Sequence, residues 1–208
     1  TMIIGDTATA AGYYQRAVSI AREVGDRKLL SSSLTTLVHV PIPAELCAVV
    51  PTVDSGIDWR RSGEEGLAIA RDMNWRAGEA FALEILGCAQ SSTGQYSQAL
   101  RSEREAIAIA TEIGHLFWLM CAHESIGIVQ YFLLDLDEAR VSLERAVRLA
   151  HEMRAGFKIR SATALLARVT TELGDLEGAD ALLRPLLGQA ETLAASMVQR
   201  NCWLAQAA

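Results

Sequence analysis

The 208-residue chain has few aromatic residues, cysteines and prolines. Aromatic side chains make up 6% of the sequence, and there are four cysteines and four prolines. The cysteines show no CxxC spacing, so they indicate neither a zinc site nor a redox motif. A reduced, cytoplasmic setting therefore fits this cysteine pattern best. The four cysteines are Cys47, Cys88, Cys121 and Cys202.

Basic runs and long apolar runs are missing as well. The formal net charge is -6 and no cluster of lysine or arginine stands out, so we expect no nucleic-acid surface within this segment. The apolar runs are short, as in 116–122, which excludes a bilayer span, and the first residues lack the basic and apolar parts of a secretory signal. Hydrophobic residues still form 50% of the chain, which is ample for one continuous core.

Catalytic motifs are missing too. The sequence has no HExxH, no glycine-rich phosphate loop and no GxSxG, so we expect no enzyme, no catalytic residue, no cofactor and no metal site. Cys121 and His123 lie two residues apart, and on a helix their side chains would point about 200° apart, which disfavours a shared ligand. The charged runs 64–65 and 103–105 are predicted to be solvated helix faces.

An internal repeat with a period of 40 residues is the strongest pattern in the sequence. Similar segments begin at Tyr96, Leu136 and Leu176. A period of this length indicates a solenoid of stacked helix pairs, each with a tight turn between two amphipathic helices. Alanines recur in register at Ala99, Ala139 and Ala179, and again at Ala70, Ala110, Ala150 and Ala190.

Small residues at the turns and on the facing helices predict how each pair packs. Gly94 and Gly174 suit the left-handed residue that ends a helix, and Leu134 holds the same position in the repeat between them. Asp175 is predicted to cap the helix that follows it. In the first helix of each pair, a small side chain lets the two backbones approach closely. These positions are Gly87, Gly127 and Ala167.

With these residues the chain resembles the tetratricopeptide repeat family. The pattern is a small residue in the first helix, a glycine and a polar residue at the turn, and alanines in the second helix. Family repeats usually have about 34 residues, and the 40-residue form resembles the regulatory regions of bacterial signal-transduction ATPases and MalT-like transcription activators. The resemblance implies an all-α fold, a right-handed superhelix of about ten helices over residues 1–208.

The resemblance also implies a concave groove lined by the first helices. Such a groove would bind a protein or a peptide, with apolar character from Phe81 and Tyr131 and acidic character from Glu84 and Glu124. The two glutamates are one period apart, so we expect them to stack as neighbours. The groove candidates are Phe81, Glu84, Cys88, Cys121, Glu124, Ile128, Tyr131, Ser161, Arg168 and Glu172.

The repeat is interrupted once and does not fit the chain ends. Nine extra residues fall within an irregular insertion at 41–55, which contains Pro41, Pro43 and Pro51. The insertion is either a partner-binding loop or hinge, or a tolerated surface insertion in an eroded repeat. The chain begins inside a repeat, and residues 192–208 resemble a first helix without its partner. We therefore expect an excerpt of a longer protein, or ends that another subunit covers.

The expected function is a non-catalytic interaction scaffold. The resemblance favours the regulatory repeat region of a bacterial signalling or transcription-control protein, with a partner in the groove. Two alternatives remain open at this stage. One is a sensor domain for a small molecule or peptide signal, and the other is a structural module that assembles through its uncovered ends.

Overall fold

The computed structural model describes residues 7–38 and 57–187. These residues form nine α-helices and no strand, which confirms the all-α prediction. About ten helices were predicted, and the expected last helix within 192–208 and the insertion at 41–55 lie outside the described residues. The helices are α1 (Thr7–Val24), α2 (Arg27–Leu37), α3 (Trp59–Asp72), α4 (Arg76–Ser92), α5 (Tyr96–Glu112), α6 (Leu116–Phe132), α7 (Leu136–Glu152), α8 (Gly156–Glu172) and α9 (Leu176–Leu187).

Helices α4 to α9 begin at intervals of 20 residues, so the 40-residue period consists of two equal halves. Each helix from α4 to α8 has 17 residues and is followed by a three-residue connection. The start of α2 precedes the start of α4 by 49 residues (27 to 76), which is nine more than the period. The described helices on both sides of the insertion therefore preserve the predicted nine-residue slip.

The same turn closes every helix from α3 to α8. In the turn after α4, the N–H of Gln95 donates to the carbonyl of Gln90 at 2.8 Å, five residues back, while Gly94 adopts a φ of 75°. This arrangement satisfies the carbonyls at the end of a helix and requires a left-handed residue. The left-handed positions recur every 20 residues, at Asn74, Gly94, Gly114, Leu134, Arg154 and Gly174.

The prediction that Gly94 and Gly174 end helices in the left-handed conformation is confirmed. Asp175 also caps α9 as predicted, because its Oδ1 accepts from the Gly178 N–H at 2.9 Å. Leu134 adopts the same conformation with a φ of 60° although it has a Cβ, and its side chain is 80% exposed. The backbone of Leu134 is therefore strained, and burial of its side chain does not offset the energy of that strain.

Replacing Leu134 by glycine is expected to raise the free energy of unfolding by about 1 kcal/mol, because glycine adopts a positive φ without strain. The reciprocal change, Gly174→Leu, should lower it by a similar amount. Urea unfolding of both variants measures the two effects. If Leu134→Gly were destabilising, the exposed leucine side chain would have a structural role that its solvent exposure does not show.

Small residues allow the helices of each pair to approach closely, as predicted. Ala99 and Ala139 are fully buried. A Cβ on Gly127 would lie 2.6 Å from Cγ of Leu143 and 3.3 Å from the carbonyl oxygen of Ala139, so only glycine fits at this crossing. The missing Cβ at Gly127 therefore determines how closely the two helices of this pair can approach.

The chain divides into two compact units after Trp118. In the first unit, each helix from α1 to α4 contacts the next one in the chain, and α2 also contacts α4. In the second unit, α8 contacts both α7 and α9. Among the described residues, no helix combines the length and apolarity needed to cross a membrane.

A network of ion pairs joins three helices of the first unit. Glu79 on α4 is buried and accepts from Arg71 at 3.0 Å and from Arg76 at 2.5 Å. Arg71 also pairs with Glu105, and Arg76 pairs with Glu112, both at 2.5 Å. Glu79 thus holds two arginines whose other contacts lie on α5. The network therefore connects the end of α3 and the start of α4 to two positions on α5, Glu105 and Glu112.

Candidate functional site

Side chains from α6 and α8 meet on one face of the second unit, which we call the α6–α8 face. Its first contact is centred on Glu124, whose carboxylate is buried. Glu124 accepts a hydrogen bond from the Ser161 hydroxyl at 2.8 Å and from Nζ of Lys158 at 2.9 Å. Both are charge-assisted hydrogen bonds, because they end on a carboxylate, and they are stronger than hydrogen bonds between neutral groups.

A second contact on this face is centred on Tyr131. Its hydroxyl lies 3.3 Å from Oε1 of Glu172, to which it donates, and the Arg168 guanidinium lies 4.6 Å from the centre of its ring. Burial raises the pKa of Tyr131, Arg168 opposes that shift, and Glu172 adds to it. The neutral phenol is therefore favoured, and it can keep donating its proton to Glu172.

The α6–α8 face brings together five of the predicted groove residues. Ile128 is half-buried on the same helix as Glu124, whereas Cys121 is buried. Lys158 was not among the sequence candidates, although it lies three residues before Ser161 and so on the same side of α8. That spacing could have identified it. The five residues are Glu124, Tyr131, Ser161, Arg168 and Glu172.

In the first unit, the candidate Phe81 is part of an aromatic cluster. Its ring stacks on Trp118 with 4.7 Å between the ring centres, and His115 stacks on the same indole at 5.6 Å. Phe117 approaches Trp118 edge-on at 4.8 Å and is partly exposed. Because Trp118 contacts three rings, it acts as the packing centre of this cluster.

The other two candidates of the first unit, Glu84 and Cys88, form a buried group with Glu103. The Cys88 thiol lies 3.4 Å from Oε1 of Glu84, and one donor atom from each of the three residues lies within 4.8 Å of the others. Two buried carboxyl groups this close cannot both carry a charge without a large energetic cost. The three donor atoms are close enough together to hold a metal ion.

The prediction of a solvated face at 103–105 is wrong for Glu103, which is fully buried on α5. A Cβ on Gly87 would lie 2.3 Å from Oε1 of Glu103, so the carboxylate packs directly on the glycine backbone of α4. One period later, Gly127 faces Leu143 in the same way. Glu103 thus occupies a core position where the next copy has a leucine.

The two glutamates that were predicted to make the groove acidic do not expose their carboxylates to solvent. Glu84 and Glu124 are both buried, as are Cys88 and Cys121. The charge of Glu124 is also neutralised by Lys158. Four of the ten candidates therefore support the helix packing beneath the surface. The stacking of Glu84 with Glu124 stays a prediction.

His123 on α6 has a lowered pKa, mainly because it is partly buried, and also because Arg145 and Arg148 of α7 lie nearby. Its unfolded-state pKa is close to 6.5. The unfolded chain therefore takes up a proton at a higher pH than the folded chain, and stability is lost as the pH falls below about 6.5. A His123→Gln variant should show a flatter dependence of unfolding free energy on pH between about 7 and 5. An unchanged slope in urea titrations would contradict this assignment.

Neither a known protein family nor a curated protein matches this sequence. The case for its function therefore rests on the repeat and on the contacts described above.

Proposed function

We propose that this chain is a non-catalytic scaffold of the tetratricopeptide type, a right-handed superhelix of helix pairs that binds a protein or peptide. Three features support the proposal. Helices α4 to α9 begin at equal 20-residue intervals, the same turn closes α3 to α8, and small residues mark the crossings within pairs. These are the properties by which repeat helices stack into a continuous core.

The binding surface in this proposal is the α6–α8 face. The observation that carries it is that the side chains of Arg168 and Glu172, which follow Tyr131 by 37 and 41 residues in sequence, both contact Tyr131 there. Arg168 is half-buried and held against the Tyr131 ring, which limits the entropy it loses on binding. A rigid aromatic ring beside a fixed cation and a carboxylate can contact both the side chains and the backbone of an extended or helical peptide.

The wider role in this proposal is that of a regulatory region in a bacterial signalling or transcription-control protein of the cytoplasm. Occupancy of the face would stabilise the bound arrangement of the repeats and so bias their contacts with a neighbouring domain. The 40-residue period supports this role, because the regulatory regions that the sequence resembles have repeats of similar length.

Selection from a displayed library of random peptides tests the binding function. Selected peptides are expected to bind the full chain and to bind Tyr131→Ala and Arg168→Ala at least about tenfold more weakly, as expected for central aromatic and arginine contacts. Arg140→Ala is the matched control, since Arg140 is an exposed arginine of α7 that pairs with Asp137 of its own helix. Binding that is equally insensitive to all three variants would contradict the proposal.

A further inference from the structure

Three side chains that can ligate a metal ion meet between α4 and α5. Glu84 and Cys88 are four residues apart on α4, which places them on the same side of that helix. Glu103 of α5 packs on the backbone of Gly87, which lies between them in sequence. All three ligating residues are buried, and one donor atom from each lies within 4.8 Å of the others. We call these three residues the Glu–Cys–Glu group.

The repeat shows that this combination belongs to one pair of helices. In the next copy, isoleucine takes the place of Cys88 and leucine takes the place of Glu103. In the copy after that, the same two positions hold arginine and leucine. Packing of a helix pair at these positions therefore requires neither a thiol nor a second carboxyl group. The Glu–Cys–Glu group has a chemistry that the common architecture of the repeat does not explain.

The buried carboxylate of the next copy has a cation beside it. Glu124, one period after Glu84, accepts from Nζ of Lys158 at 2.9 Å. Forty residues before Lys158 the sequence has Trp118, whose indole stacks on Phe81. The lysine thus has no counterpart in the copy that contains Glu84, although that copy buries a second carboxyl group. Buried carboxylates are paired with cations or coordinate metal ions, so this difference points to a cationic ligand.

We propose that the Glu–Cys–Glu group binds one zinc ion, with the Cys88 thiolate and one oxygen of each glutamate as ligands. In a tetrahedral zinc site, Zn–S is about 2.3 Å and Zn–O about 2.0 Å, which puts sulfur and oxygen ligands about 3.5 Å apart. The Cys88 sulfur lies 3.4 Å from Oε1 of Glu84, so this pair already has the required spacing. A thiolate ligand disfavours magnesium and calcium, which prefer oxygen.

The bound ion would link α4 to α5 through the core of the first unit. Coordination deprotonates the thiol, whose proton passes to the solvent. A water molecule completes the tetrahedron, because three protein ligands leave one position open. Glu103 is fully buried, so we expect the ion to enter while the two helices are apart, during folding or local opening.

Zinc binding by the full chain tests the proposed site. The chain is unfolded in urea with a reductant, freed of metal with a chelator, and refolded with or without zinc chloride. We expect one zinc ion per chain to remain bound after dialysis. Zinc at about 100 times its Kd should raise the midpoint of thermal unfolding by at least about 5 °C, whereas magnesium should not. Refolding with cobalt(II) should add a thiolate-to-cobalt charge-transfer band in the near ultraviolet.

Cysteine variants identify the thiolate ligand. Cys88→Ser should lose the cobalt band and bind zinc at least about tenfold more weakly, since even residues behind a metal ligand contribute that much. The matched control replaces the other three cysteines by alanine and should keep both the band and the affinity. These three are Cys47, Cys121 and Cys202. Circular dichroism verifies that each variant is folded.

A Glu103→Leu variant tests the ligand from α5. Leucine is the residue of the next two copies at this position, so the helix pair should fold while its zinc affinity falls at least about tenfold. A refolded chain that retains no zinc would overturn the proposal, as would an equal thermal shift with magnesium. So would zinc binding that Cys88→Ser or Glu103→Leu leaves unchanged. The site lies in the first unit, and none of these outcomes affects the proposed peptide binding by the α6–α8 face.

Discussion

Replacing Glu103 by leucine is expected to stabilise the first unit by about 2 kcal/mol, because leucine restores the apolar side chain of the repeat at a buried position. Glu103 is 0% exposed, while its counterparts Leu143 and Leu183 are 1% and 2% exposed in the next two copies. Gly87 leaves the same space beside Glu103 that Gly127 leaves beside Leu143, so the larger branched side chain fits. Chemical unfolding of the full chain measures the change.

Two control variants separate the charge of Glu103 from its shape. Glu103→Gln keeps the shape and removes the ionisable group, so it should give only part of the gain seen with leucine. The reverse exchange, Leu143→Glu, should be destabilising by at least about 3 kcal/mol, since it buries a new carboxyl group without a group built around it. If Glu103→Leu instead lowered stability, the group formed by Glu84, Cys88 and Glu103 would contribute more to folding than apolar packing does. A metal titration of the native chain would then be the next measurement.

Replacing Lys158 by methionine is expected to destabilise the second unit by about 3 kcal/mol, because it removes the cation beside a buried carboxylate. The Lys158 side chain is mostly covered, and without it the Glu124 carboxylate would lose this cation and keep the hydrogen bond from Ser161. Methionine preserves most of the buried aliphatic length, so the loss reports the charge rather than a cavity. Thermal and urea unfolding both measure it.

A double-mutant cycle identifies the source of that loss. Glu124→Gln in the Lys158→Met background should recover most of the stability, since the uncompensated charge is then gone. Arg140→Met is the matched surface control and should change the unfolding free energy by less than about 0.5 kcal/mol, as expected for an exposed ion pair within one helix. Equal losses at positions 140 and 158 would show that the buried pair contributes no more than an exposed one.

The regular part of the fold was predictable because it depends on small residues at fixed intervals. Alanines such as Ala99 and glycines such as Gly127 mark places where a larger side chain meets a neighbouring helix, and that constraint appears in the sequence as a period. The left-handed turns were predictable where glycine marks them. Asn74 and Arg154 adopt the same conformation without that signal, because the hydrogen bonds at the end of the helix impose it.

The side-chain contacts were harder to predict. Glu103 is followed by two further charged residues, which suggested a solvated face, although its alignment with Leu143 and Leu183 indicated a core position. The repeat is the stronger of the two signals, since position within the helix pair decides burial. Lys158 was missed for a different reason, namely that its partner Glu124 lies 34 residues away on another helix. The three-residue spacing puts Lys158 on the same side of α8 as Ser161, but its pairing with Glu124 follows from the three-dimensional contact.

The equal spacing of the turns limits how a chain of this design can change in length. Adding or removing one 20-residue helix would shift every later helix by half a period, so the sequences of first and second helices would exchange places. Adding or removing two would leave all later contacts as they are. We therefore expect a chain of this design to tolerate duplications or deletions of 40 codons better than those of 20 codons, and the nine-residue slip lies between the described helices α2 and α3.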